Sequence, residues 1–333
     1  MHSSGLLVAV VVVIALAFDY TNGFHDAATA IATSIATHAM RPRRALALAA
    51  VMNLLGAFIS TNVATTVGKG IVRLPAQHGP TVVLAALVGA VGWNVITWYF
   101  GLPSSSSHAL IGGLVGATLI ASGPDHVVWT GLGAKVVLPG IISPLLGMLV
   151  GFCLMLSVYW LFFRQRPTWV HALFRRLQPF SAAFLAFSHG SNDAQKTMGI
   201  ISLALLSGGY VDSFYVPTWV IIASATVIAL GTFSGGWRII RTMSQRVVRV
   251  EPPNGFATEF TAGLVLLAAS IRGYPVSTTH VVNGALMGVG ATRRFSAVRW
   301  GVAGNIVFAW VLTLPAAGLL GFLAYPVAST VLP

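Results

Sequence analysis

The sequence predicts an all-α polytopic membrane protein of about ten transmembrane spans, arranged as two inverted five-span repeats with broken or re-entrant helices. Three observations lead there. Hydrophobic residues make up 56% of the 333 residues and charged ones only 8%, with a mean hydropathy of +0.83; a soluble domain carries about 25% charged residues. Apolar runs of about 20 residues, the length that crosses a bilayer as a helix, recur along the chain. Two polar motifs also occur twice, in the same order, once in each half.

The first apolar run, MHSSGLLVAVVVVIALAF, lacks the Lys/Arg flank and small-residue cleavage site of a signal peptide, so it reads as the first span. That span covers 5–38 and is long enough to be broken at YTNGFHD. Spans near 45–65, 81–100, 103–121 and 135–163 complete the first repeat, residues 1–163. A short basic cytoplasmic loop, 164–178, leads to the second repeat, 179–333, with spans near 179–206, 216–236, 256–272, 275–292 and 301–325. Of 19 basic residues, 14 fall in four clusters: Arg41–Arg44, Arg164–Arg176, Arg238–Arg249 and Arg293–Arg299. Each cluster lies between apolar runs, as cytoplasmic loops do. The formal charge of +12 therefore orients the chain in a membrane and does not point to nucleic acid. An odd number of spans per half forces the second half to be inverted. Cys153 is the only cysteine, which excludes an internal disulfide and a thiolate metal cluster.

The first duplicated motif is GLPSSSSHALIGG at 101–113 and YPVSTTHVVNG at 274–284. The two align without a gap. Pro103 matches Pro275, Ser105 matches Ser277, Ser106 and Ser107 match Thr278 and Thr279, and His108 matches His280. A proline followed by small hydroxyl residues and an apolar run marks a helix N-terminus. Such an end presents free backbone N–H groups and the positive end of the helix dipole, which bind anions. Two of them facing each other would enclose one tetrahedral oxyanion. A single cluster is better explained as helix-to-helix hydrogen bonding; duplication in register favours the anion site.

The second motif is NGFHDAATAIA at 22–32 and HGSNDAQKTMG at 189–199, which pairs Asp26 with Asp193 and sets His25 opposite Asn192. Only seven Asp and Glu occur in the chain, and an ionisable group at membrane depth is a functional candidate by default. Beside Asn22 or Asn192, either carboxylate would hold a cation or exchange a proton. Lys196, three residues after Asp193, either touches the anion or balances that carboxylate. Its first-half counterpart is Thr29, so no lysine role is symmetric. His25, His108, His189 and His280 sit in the motifs without HxxxH or HExxH spacing, and read as buried hydrogen-bonding residues. Asn53 and Asn94 either line a pathway or bond across helices, and Glu259 is open in the same way.

On NGFHDAATAIAT, GLPSSSSHALIGGLVG, FSHGSNDAQKTMGI and YPVSTTHVVNGALMG, the chain resembles the Pit-type inorganic phosphate transporters (phosphate:cation symporters) over nearly its whole length. The resemblance implies a multi-pass protein of the cell inner membrane that imports phosphate by symport, with no enzyme activity and no cofactor. Phosphate would lie on Ser105, Ser106, Ser107, Ser277, Thr278 and Thr279, with Lys196 beside them. The coupling cation or proton would be handled by Asp26 and Asp193 with His25, Asn22 and Asn192, and Asp26 and Asp193 are the candidates for a metal. Sodium-coupled members read GAND in both halves, whereas this chain reads GFHD and GSND. That form is similar to bacterial low-affinity members that take protons or metal–phosphate complexes, so a proton or divalent metal is expected ahead of sodium. The partners implied are phosphate, cations and the lipid bilayer, with a homodimer allowed and no nucleic acid. A sulfate permease is the nearest rival. Monohydrogen phosphate carries a hydroxyl that needs an acceptor, which the two carboxylates supply and sulfate does not require. An intramembrane hydrolase fits poorly, because Ser107 and His108 are adjacent on a helix and point about 100° apart.

Five spans per half with cytoplasmic basic clusters place both chain ends on the outer face. Cysteines introduced at positions 3 and 330, in a Cys153→Ser background, should both react with a membrane-impermeant reagent in intact cells. Labelling at one end only would break the ten-span count.

Overall fold

The computed structural model describes residues 2–75, 78–235 and 250–331; the basic cluster Arg238–Arg249 lies outside them. Eleven helices follow in order among the described residues: α1 His2–Ala36, α2 Pro42–Gly56, α3 Asn62–Lys69, α4 Gly79–Phe100 and α5 Ser106–Ser122. Then come α6 Trp129–Phe162, which holds a π turn at Gly133–Val137, α7 Pro167–Ser207 and α8 Thr218–Ser234. Last are α9 Pro252–Ile271, α10 Thr278–Ala291 and α11 Trp300–Val331. Prolines in the first turn open α2, α4, α7 and α9, where the missing N–H removes no helical bond. An isolated bridge joins Val72 and Val127.

Among the described residues, five helices are long and apolar enough to cross a membrane: Gly5–Ala36, Gly79–Phe100, Trp129–Phe162, Pro252–Ile271 and Trp300–Thr330. The 41-residue α7 is not among them, because its middle carries His189, Ser191, Asn192, Asp193, Gln195 and Lys196, all buried. By contrast, α6 and α11 expose rows of large apolar side chains, such as Ile141, Leu145 and Leu149 on one and Phe308, Val311 and Leu323 on the other. Apolar surface on that scale suits lipid rather than water.

The packing crosses between the halves of the chain. The helix α5 lies against α4 and α11, while α10 lies against α9 and α6. In the same way α1 packs on α8, and α7 on α2. Glycines set these approaches. A Cβ on Gly116 would sit 1.9 Å from the Gly318 carbonyl oxygen of α11, and one on Gly288 would sit 2.0 Å from the Met148 carbonyl oxygen of α6.

Two expectations fail. The Asp motifs were expected at helix breaks, yet α1 and α7 run through them without interruption. Their glycines serve close approach instead: a Cβ on Gly23 would fall 2.5 Å from the Ile228 carbonyl oxygen, and one on Gly190 would fall 2.2 Å from that of Asn53. The breaks come at the hydroxyl motifs, after α4 and α9, where Gly101 and Gly273 take the left-handed φ values of 65° and 74° that favour glycine. The expected loop 164–178 is also mostly helix. Pro167 starts α7, and Phe174 is buried against Phe162 and Phe256, which holds those first turns in place while Arg175 and Arg176 stay exposed.

Replacing Gly116 or Gly288 with alanine should lower the stability of the detergent-solubilised protein by about 1–3 kcal/mol, the usual range for overpacking. Gly301, where an added Cβ meets nothing within 4 Å, provides the control. Equal melting temperatures for all three variants would refute the close-packing account.

Candidate functional site

The hydroxyl motifs begin two helices in the protein interior. Ser105 has extended backbone and its side chain accepts the His108 N–H, capping α5; Ser277 caps α10 through the His280 N–H. Each cap covers one first-turn N–H, and the others of that turn have no intrahelical partner. The two helix starts abut. Ser107 Oγ donates to the Val276 carbonyl (3.3 Å) and Thr279 Oγ1 donates to the Ser104 carbonyl (2.8 Å). In the motif alignment these are the same bond made in both directions. Behind them the His108 and His280 rings meet edge to face at 4.8 Å, and His280 stacks on Trp310 at 4.0 Å. Trp310 Nε1 in turn donates to the Pro103 carbonyl.

The six hydroxyl residues therefore divide by role. Ser105 and Ser277 cap, and Ser107 and Thr279 tie the two starts together. Ser106 and Thr278 remain: Ser106 Oγ is buried without a hydrogen-bond partner, and Thr278 Oγ1 reaches Asp193 Oδ1 at 3.3 Å.

Against these starts lie the carboxylates of α1 and α7. Asp193 receives Lys196 Nζ on Oδ1 (2.6 Å) and Asn22 Nδ2 on Oδ2 (3.3 Å). Lys196 Nζ also donates to the Val276 carbonyl (3.0 Å) and to Ser107 Oγ, so its three protons face three acceptors. Asp26 pairs with His25 Nδ1 at 3.0 Å. His189 Nε2 stands 3.5 Å from Asp193 Oδ2 and 3.9 Å from Asp26 Oδ2. One ligand atom each from Asp26, His189 and Asp193 falls within 4.8 Å of the others, a donor set that suits a divalent metal. The two aspartates named from the sequence are thus brought together, with a histidine between them.

His25 and Asn192 do not share one centre; each leans toward the linker of its own half. His25 Nε2 lies 3.4 Å from Thr97 Oγ1 and 3.5 Å from Ser104 Oγ, and Asn192 Nδ2 donates to the Tyr274 carbonyl at 3.0 Å. Asn53 bonds across helices, to Thr232 and His189, and Asn94 bonds to Thr21. Glu259 accepts from Thr33, Ser34, Ser181 and Gln178, which joins α1, α7 and α9. Sequence reasoning missed Asp19, fully buried on α1; the scarcity of carboxylates was the signal that could have found it.

A helical bundle with apolar outer faces that buries a polar centre of paired helix starts, carboxylates and a lysine has the architecture of a membrane transport protein. The comparisons agree. Residues 22–321 match the phosphate transporter family. A probable low-affinity inorganic phosphate transporter of Rhizobium meliloti is 51% identical over 98% of this chain and 97% of its own. One of Bacillus subtilis is 44% identical over 96% of each. A solved sodium-dependent phosphate transporter shares the fold with a TM-score of 0.89, at 24% identity, across 98% of this chain and 100% of that one. This chain belongs to the phosphate transporter family.

Losing the Ser105 cap should cost about 1 kcal/mol of stability, whereas Ser106→Ala removes a hydroxyl with no partner and should leave the melting temperature unchanged. Lys196→Met, which strands Asp193 beside the carbonyls, should cost about 3–5 kcal/mol. Thermal unfolding in detergent measures all three; a Ser106→Ala loss equal to that of Ser105→Ala would contradict this division of roles.

Proposed function

We propose that the chain is a secondary-active phosphate symporter of the cell inner membrane, built as two inverted five-span repeats and driven inward by protons or by co-transport of a divalent metal. The observation that carries it is the pair of capped helix starts, α5 and α10, abutting on Asp193 and Lys196 with the Ser106 hydroxyl unpartnered. The reciprocal bonds from each helix start to the other's linker and the exchanged packing of α5 on α11 and α10 on α6 support the inverted repeat. The names of the Rhizobium meliloti and Bacillus subtilis relatives support phosphate as cargo.

In this reading a phosphate oxygen accepts from each helix start. Ser106 and Thr278 donate directly through their hydroxyls. Ser105 and Ser277 act by holding the first turns open toward the anion, and Ser107 and Thr279 fix the distance between them. Lys196 supplies positive charge on the second-half side only. Turning its ammonium toward phosphate releases Asp193 to accept the proton of monohydrogen phosphate, an acceptor that sulfate would leave unused. Asp26, with His25, and Asp193, with Asn22, form the coupling region, and Asn192 holds the Tyr274 carbonyl at its edge. His25 offers no oxygen to a hard cation, whereas an imidazole can take up and release a proton, which suits proton exchange better than sodium. The Asp26, His189 and Asp193 donor set favours a second reading, in which a divalent metal travels with the phosphate.

In proteoliposomes, radiolabelled phosphate should accumulate along an inward proton gradient, persist when sodium is replaced by potassium or choline, and collapse with a protonophore. Ser106→Ala or Thr278→Ala should weaken apparent affinity several-fold to a hundredfold, about 1–3 kcal/mol. Strict sodium dependence at constant pH and potential would refute proton coupling, and sulfate outcompeting phosphate would refute the cargo.

A further inference from the structure

Asp19 lies two turns before Asp26 on α1, on the face that also carries Asn22. It is fully buried, and among the described residues neither of its carboxyl oxygens has a hydrogen-bond partner. The other buried carboxylates differ. Asp26 has His25, Asp193 has Lys196, Asn22 and Thr278, and Glu259 has three hydroxyls and an amide. Packing does not require an acid at this point. The motif alignment sets Ala186 opposite Asp19, and Ala186 is equally buried.

The charged groups around Asp19 leave it uncompensated. From α7 it feels Asp193, His189 and Lys196, with Thr197 beside it, and the Lys196 ammonium is already seated on Asp193. Its own helix offers Asp26 and His25, which pair with each other. The helices α4 and α8 also pack on α1 and carry no Asp, Glu, Lys, Arg or His. Of the others that touch α1, α5 brings His108, α9 Glu259 and α10 His280, while α2 has Arg43 and Arg44 at its exposed start. A buried carboxylate at membrane depth with no cation of its own and only the Thr197 hydroxyl beside it is strongly disfavoured.

A proton resolves this. The acid O–H needs an acceptor, and Asn22 Oδ1 and Thr197 Oγ1 are both buried without a partner. Asn22 lies one turn along the same helix face and gives its Nδ2 to Asp193, which leaves its carbonyl oxygen unpartnered. A divalent cation would instead place a net positive centre next to the Lys196 ammonium. We propose that Asp19 is a proton-carrying carboxyl of the transport cycle, separate from the Asp26–Asp193 pair. It holds its proton in the arrangement described, and its O–H bond breaks, passing the proton to water, when the site opens. This rests on the proton-coupled reading above.

The test uses the full chain in proteoliposomes, with Asp19→Asn as neutral isostere and Asp19→Glu as conservative rescue. Infrared spectra at neutral pH should contain a protonated-carboxyl C=O band that Asp19→Asn removes and Asp19→Glu keeps in shifted form. Phosphate–phosphate exchange, which moves no net protons, should survive in Asp19→Asn, while accumulation driven by a pH gradient falls to equilibrium. Glutamate should restore accumulation. An unchanged band in Asp19→Asn, wild-type accumulation by that variant, or joint loss of exchange and accumulation in a correctly folded variant would each overturn the proposal. Wild-type uptake indifferent to the pH gradient would overturn proton coupling and this role with it. The infrared band, read without transport, separates that failure from a carboxyl that was never protonated.

Discussion

The structure turns on the two hydrogen bonds that tie the first turns of α5 and α10 each to the linker preceding the other. Ser107 Oγ to the Val276 carbonyl and Thr279 Oγ1 to the Ser104 carbonyl hold two helix N-termini nose to nose, an arrangement that like-signed dipole ends resist. Something negative has to lie near them. Asp193 does so, with Thr278 and Lys196 upon it, and the long polar stretch of α7 is buried because it must reach this point. The breaks after Gly101 and Gly273 exist to let the chain leave one helix and start another inside the protein.

Around that junction the charges are few and closely matched. One lysine and two histidines face two aspartates, and each of the three touches more than one polar partner. In a low-dielectric interior such a set cannot lose or gain a charge without reorganising. That is the property a coupling centre needs.

Much of this was legible in the sequence. The duplicated hydroxyl runs announced two helix starts, and Ser105 and Ser277 cap as the Pro-then-Ser pattern implies. What each remaining hydroxyl does was not legible, because successive helical residues point about 100° apart and only the neighbouring linker decides which one finds a partner. The glycines of the Asp motifs looked like helix breakers. Whether glycine bends a helix or admits another helix depends on residues more than 130 positions away, as with Gly190 and Asn53. Residues 167–178 looked like loop because their charges hid the one face that Phe174 buries. Asp19 has no counterpart in the other half, so a reading built on repetition passed over it.

The exchanged packing has a mechanical meaning. Because Gly116 brings α5 onto α11 and Gly288 brings α10 onto α6 at backbone distance, neither helix can slide on its partner without steric collision. Any rearrangement that parts the two helix starts must carry α11 with α5 and α6 with α10. Whatever moves with each helix start is therefore a hybrid unit, assembled from both halves of the polypeptide, and the covalent halves of the chain are not its levers.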